Sequence, residues 1–278
     1  MKHSIASLLR IDRYVSWAAR RIFIFWSLNA GRPAYESRLA RLPRIVGPAL
    51  VVGSAPHPQR PAGVDKSWYR LSVNASQLVL ELFGLPGPNL TIFQPKIKFD
   101  DENRGAYWTS LQGRGTEKLI FSVNGKNDGE IKDFIATKGY HADEIITLSE
   151  WTKNTIATDV SGRPLVSPIL GERGVSNGMF AVMLALKQGA STVVMSGFST
   201  NSGWFHNKSL NVKRNHVFMD SLACKCILER GLPVFASDPE FARATGLRLW
   251  PGDDTANGYR HPGSNGGPLD AQSSAPTN

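Results

Sequence analysis

Cysteine is scarce in this 278-residue chain. The two present, Cys224 and Cys226, stand two apart on a helical stretch and so face different sides of it. That excludes a disulfide framework and a cysteine zinc site, and leaves small core residues in a reducing compartment. Long apolar runs are missing as well. In the N-terminal segment the longest uncharged stretch, Ile22 to Gly31, falls short of the roughly 20 residues a bilayer-spanning helix needs. No G-x-G-x-x-G follows the first buried strand, and Pro56 and Pro58 interrupt the place of a crossover helix, which argues against ordinary NAD binding. Acidic residues are outnumbered, 23 Asp and Glu against 32 Lys and Arg, for a formal charge of +9. The Lys and Arg are dispersed and no recognition-motif signature accompanies them, which weighs against a nucleic-acid-binding protein. There is no internal repeat.

What is present is alternation of strand and helix signals. Buried strands are expected at 49–55, 68–74, 90–94, 118–123, 144–149, 191–196 and 233–236, and helices near 128–138, 177–188 and 213–230. That order predicts an α/β fold with a Rossmann-like, mostly parallel sheet. With 41% hydrophobic residues the chain can bury one large core. Residues 31–250 are read as one domain, between a basic N-terminal segment of residues 1–30 and a Gly-, Ser- and Pro-rich tail of residues 251–278 that is expected to be disordered.

The stretch Ser176-Asn177-Gly178 followed by Met179 to Leu186 and then by Thr192 to Gly197 is a capping turn, an apolar helix and a β-branched strand. Its helix N-terminus can face a bound anion, although helix capping alone accounts for the same residues. Pro48 to Val52 reads as a strand that breaks at Gly53-Ser54, where α/β sheets bind nucleotides. His216 and Asp220 are one helical turn apart. A carboxylate at that spacing suits an imidazole acting as general base, and a solvated His–Asp surface pair suits it equally. The acidic run Asp100-Asp101-Glu102 resembles a metal-binding carboxylate motif but is read as a solvated loop.

Taken together these stretches resemble the sialyltransferases, animal-type and bacterial. Val51-Val52-Gly53-Ser54-Ala55 and Arg70-Leu71-Ser72-Val73-Asn74-Ala75-Ser76 fall in the order of that family's long motif. Ser176 to Leu186 with Ser196-Gly197-Phe198 is similar to its short motif. His216 to Asp220 resembles the later H-x-x-x-x-E whose His is the catalytic base. His206, flanked by Trp204 and Phe205, resembles the phosphate-binding His. Three departures stand out: Ser54 takes the place of the family's Asn, Asp220 that of its Glu, and His206 lies unusually near His216.

The resemblance implies a glycosyltransferase-A-like variant of the α/β fold and an inverting transfer from a CMP-activated donor, without metal or other cofactor. His216, Asp220 and His206 would be catalytic, with Lys208 or Arg214 beside His206 at the phosphate. Gly53, Ser54, Asn74, Ser176, Asn177, Gly178, Ser196 and Gly197 would hold the donor. The acceptor would be a hydroxyl of a glycan or glycolipid. A catalytically silent nucleotide-binding module on the same fold, or a basic nucleic-acid-binding protein, are the alternatives.

Much of the positive charge lies in the N-terminal segment, where Arg10, Arg13, Arg20 and Arg21 punctuate apolar residues at helical spacing and Trp17 and Trp26 suit an interface. A basic amphipathic helix on an anionic membrane surface is expected, making the protein cytoplasmic and peripheral on the inner face. Docking on the protein's own surface and a targeting peptide are the other readings.

Overall fold

The computed structural model describes residues 32–94, 102–122, 128–165, 174–200 and 216–251, with backbone alone for 32–35 and 102–106. His206, Lys208 and Arg214, the N-terminal segment to Gly31 and the tail from residue 252 lie outside the described residues.

Helix α1 (Arg32–Ala40) precedes β1 (Pro48–Val52) and β2 (Tyr69–Val73). A 3-10 turn (Asn74–Gln77), α2 (Leu78–Leu82), β3 (Leu90–Phe93), α3 (Glu102–Leu111) and β4 (Gly115–Ser122) follow. Then come α4 (Asp128–Thr137), β5 (His141–Leu148), α5 (Glu150–Ser161), α6 (Asn177–Lys187) and β6 (Thr192–Ser196). The chain closes with α7 (Val217–Glu229), β7 (Val234–Ala236), α8 (Pro239–Thr245) and β8 (Arg248–Leu249).

The strands form one eight-stranded sheet in the order β5-β4-β3-β2-β1-β6-β7-β8, and every pairing is parallel. The α/β class and the parallel sheet expected from the alternation are therefore present. The chain lays down β1 to β5 in one direction, then returns to the other side of β1 for β6 to β8. This makes β1/β6 the topological switch point, the place where open α/β sheets hold their ligands.

Burial on both sheet faces explains the near-continuous apolar strands. Ala49 and Val51 pack with α6 and α7 residues such as Met183, Ala223 and Ile227, whereas Leu50 and Val52 pack on the opposite side with Val79, Leu80 and Trp68. Helix α6 is buried from Gly178 to Ala185, as suits a crossover helix pressed on the sheet centre.

Five helices outside the expected pattern are present: α1, α2, α3, α5 and α8. Of the acidic run expected in a loop, Asp100 and Asp101 lie outside the described residues, and Glu102 begins α3, which buries Tyr107, Trp108 and Leu111 beneath the sheet. Strands β4 and β5 start at Gly115 and His141, earlier than expected. Their first turns alternate exposed and buried residues, and only their ends carry the continuous apolar signal. Among the described residues no helix is long and apolar enough to cross a membrane. Cys224 and Cys226 are both free and buried, and burial pushes the Cys224 thiol up to about 12.

Candidate active site at the switch point of the sheet

Two glycines let the central strands leave the sheet almost in contact. Gly53 N donates to Ser196 O at 2.7 Å and Ala55 N to Gly197 O at 2.8 Å, so the chain beyond β1 is stitched to the chain beyond β6. A Cβ on Gly53 would collide with the Gly197 carbonyl oxygen, and one on Gly197, which has φ +69°, would lie 2.6 Å from Gly53 O. Phe198 then lies against Gly178, where a Cβ would stand 2.7 Å from the ring. Close approach thus draws Gly53, Gly197 and Gly178 together at the carboxyl edge of the sheet, beside the N-terminus of α6.

Asn74 follows β2 with φ +52°, the one positive φ among the described non-glycine residues. Its Oδ1 accepts from Gln94 N at 3.2 Å, which joins the ends of β2 and β3. Asn tolerates this left-handed conformation better than most side chains, at a cost of order 1–3 kcal/mol. Ser76 Oγ donates to Val52 O at 2.6 Å and accepts from Val73 N at 2.8 Å, tying β2 back to the switch strand. Ser54 is half-buried at the rim.

The turn before α6 is held from two sides. Ser176 Oγ accepts from Met179 N at 3.2 Å, while Ser176 N donates to Asp220 Oδ1 of α7 at 2.8 Å. Of the four N–H groups a helix start leaves without helical partners, these are two. Those of Asn177 and Gly178 remain the open donors of this turn among the described residues, and they carry the positive end of the helix dipole.

His216 sits immediately before α7, half-buried, with Nδ1 2.9 Å from Gly174 O. A carbonyl only accepts, so Nδ1 carries a proton, and in the neutral imidazole Nε2 is then the acceptor. The arrangement corrects the expected His–Asp couple. Asp220 is one turn along as foreseen, but its carboxylate oxygen binds the Ser176 N–H, and the imidazole is oriented by the Gly174 carbonyl. One helical turn separates two residues that grip successive parts of the same loop.

Ser196 also departs from expectation. It is fully buried, and its Oγ donates to Gln59 O at 2.6 Å. Ser237 Oγ meets the same carbonyl at 3.0 Å, so both hydroxyls fasten the loop after β1 over β6 and β7 and leave Ser196 no face toward a ligand. Arg70, within the long-motif stretch, is buried at the start of β2 and donates to the Lys66, Trp68 and Gly87 carbonyls, away from that carboxyl edge.

One residue escaped the reading of the sequence altogether. Lys153 of α5 is buried, and its Nζ donates to Asn177 Oδ1 at 2.9 Å. Glu150 Oε2 lies 3.8 Å away, and Glu150 Oε1 accepts from Ser122 Oγ at the end of β4 at 2.8 Å. Burial pulls the Lys153 pKa down, opposed by the charges of Glu150 and Asp220. A signal existed: Ser149 and Gly162 are a cap and a stop, which would have placed Lys153 inside a helix. Among the described residues no group of three or more His, Cys, Asp or Glu could hold a metal ion.

The chain is thus an α/β protein with an all-parallel sheet, with a helix N-terminus and a half-buried histidine at the carboxyl edge of its switch point. No family model matches the chain, and no curated protein matches it either. The solved structures it is similar to include three of sialyltransferases. The sialyltransferase CstII from Campylobacter jejuni in complex with the substrate analogue CMP-3FNeuAc aligns at 13% identity over 74% of this chain and 86% of that one, with TM-score 0.45. CST-II in complex with a trisaccharide acceptor and CMP gives 13%, 75%, 88% and 0.49. Monofunctional alpha-2,3-sialyltransferase Cst-I from Campylobacter jejuni gives 10%, 74%, 80% and 0.47. With TM-scores below 0.5, what this chain does has to be read from its own residues.

Proposed function

We propose that the protein is an inverting, sialyltransferase-like glycosyltransferase that moves an ulosonic-acid sugar from a CMP-activated donor to a hydroxyl of a glycan or glycolipid. The observation that carries this reading is the His216 Nδ1 bond to Gly174 O, which leaves a basic nitrogen beside the turn that opens α6. In the reaction Nε2 takes the acceptor hydroxyl proton as the oxygen attacks the anomeric carbon from the face opposite the phosphate. The bond from that carbon to the phosphate oxygen breaks, and CMP leaves with the electron pair. The open N–H groups of Asn177 and Gly178 suit the growing charge on the phosphate, with no metal required by the chemistry. Gly53, Gly197 and Asn74 line the floor for ribose and base.

His206, with Lys208 or Arg214, belongs to this proposal as a phosphate ligand on the strength of the sequence alone. The N-terminal segment is assigned to an anionic membrane surface on the cytoplasmic face, which suits a transferase with lipid-linked acceptors. The test is incubation with CMP-activated ulosonic acids and a panel of glycan acceptors. Acceptor-dependent release of CMP with an inverted glycoside is expected. Absence of transfer from every such donor, in a folded protein that also binds no CMP, would contradict the reading.

A further inference from the structure

A lysine buried within a fold is expensive unless its charge is used, and an apolar side chain would fill the Lys153 site more cheaply. Lys153 is 4% exposed. Its ammonium has only donors to offer, so the Asn177 side-chain atom 2.9 Å away has to be the amide oxygen. That contact decides which way the amide faces: oxygen inward on Lys153, both Nδ2 hydrogens turned away from it. Asn177 is the first residue of α6 and half-buried, beside the two open N–H groups of the turn. Glu150, anchored by Ser122, and the ring of Phe180 at 5.8 Å hold the ammonium from the other sides.

We propose that Lys153 is a positioning residue for the donor: through Asn177 Oδ1 it turns the amide N–H groups toward the bound anion and sets a positive charge behind the α6 N-terminus. This rests on the CMP-donor reading above. The anion is one that a CMP-activated ulosonic acid carries, the phosphate or the sugar carboxylate.

Two variants separate this from a packing role. Lys153→Met keeps the length of the side chain and removes charge and donor. Asn177→Asp keeps an oxygen acceptor on Lys153, removes the amide donors and adds negative charge to the turn. Affinities for cytidine, CMP and a CMP-ulosonic acid are measured by calorimetry, with the melting temperature alongside. Loss of a charge-assisted contact predicts about tenfold weaker binding of the anionic ligands in both variants, with cytidine within about twofold of wild type. Asn177→Asp should melt no lower than wild type. Weakening that begins with CMP assigns the phosphate, and weakening seen only with the CMP-sugar assigns the carboxylate. Folded variants that bind all three ligands as wild type does overturn the proposal, and Asn177→Asp decides alone if Lys153→Met does not fold. A wild type without preference for CMP over AMP would instead overturn the donor reading beneath it.

Discussion

His216 and Asp220 show how far spacing carries at the scale of single residues. Their separation was readable as one face of a helix, but not the direction of each side chain's bond, because Gly174 is brought to the imidazole by the fold. If the neutral imidazole, with its proton on Nδ1, acts as the base through Nε2, His216→Ala should lower turnover of a CMP-sugar by about 10²–10⁴-fold. CMP affinity should change little, since the proton moves only during reaction and the phosphate is held before and after it. Steady-state kinetics with parallel calorimetry check the split; near-normal turnover would remove the base assignment. Asn74 offers a second test. Asn74→Gly relieves the positive φ but loses the bond to Gln94 N, two effects of about 1 kcal/mol each and opposite sign. Melting temperature should stay near wild type while CMP affinity falls, and unchanged affinity would take Asn74 out of the site.

At the scale of elements, continuous apolar strands and the cap at Ser176 were readable because each signal is local. Helix α5 was not. Its Thr-rich sequence carries no strong apolar stripe, even its buried face holding Thr152, Lys153 and Thr155, and it is recognisable only by its ends, Ser149 and Gly162. Missing it hid Lys153. Helix α1 was equally quiet in sequence, and its Arg38 and the Arg41 just beyond it find their purpose only in a distant partner. Arg41 Nη1 donates to Asp128 Oδ2 at 2.8 Å, and Asp128 Oδ1 accepts from Thr147 N and Oγ1, joining α1, α4 and β5. Burial raises the Asp128 pKa, but the bonds from Arg41 and Thr147 outweigh it and leave the carboxyl below its usual 3.8. A lowered carboxylate pKa means that the unfolded chain binds more protons. The stabilisation is therefore complete above pH 3.8 and is lost as pH falls through the folded value. Asp128→Asn should cost about 1 kcal/mol at neutral pH, or about 2–4 °C of melting temperature, and should flatten the acid limb of the stability curve. An acid limb as steep as that of wild type would place the proton uptake elsewhere.

For the whole molecule, alternation of strand and helix implied a parallel sheet, while the reversal that creates the switch point lies in the strand order, which no local pattern encodes. The glycines after β1 and β6 are the exception, since their meeting is the local trace of that reversal. The N-terminal segment bears on the molecule's place in the cell. Deleting residues 1–30 should leave transfer to a soluble acceptor intact and weaken binding to anionic vesicles in a sedimentation assay, more so at low salt. Vesicle binding equal to that of the full chain would contradict membrane attachment.

The switch point as a CMP-donor site is tested most directly by calorimetric titration of the full-length protein with CMP, AMP, NAD and an oligonucleotide under one buffer condition. Saturable binding of CMP at a single site, clearly tighter than that of the other three and weakened by Asn74→Gly, is the predicted result. Equal affinity for CMP and AMP, or binding of the oligonucleotide alone, would contradict it.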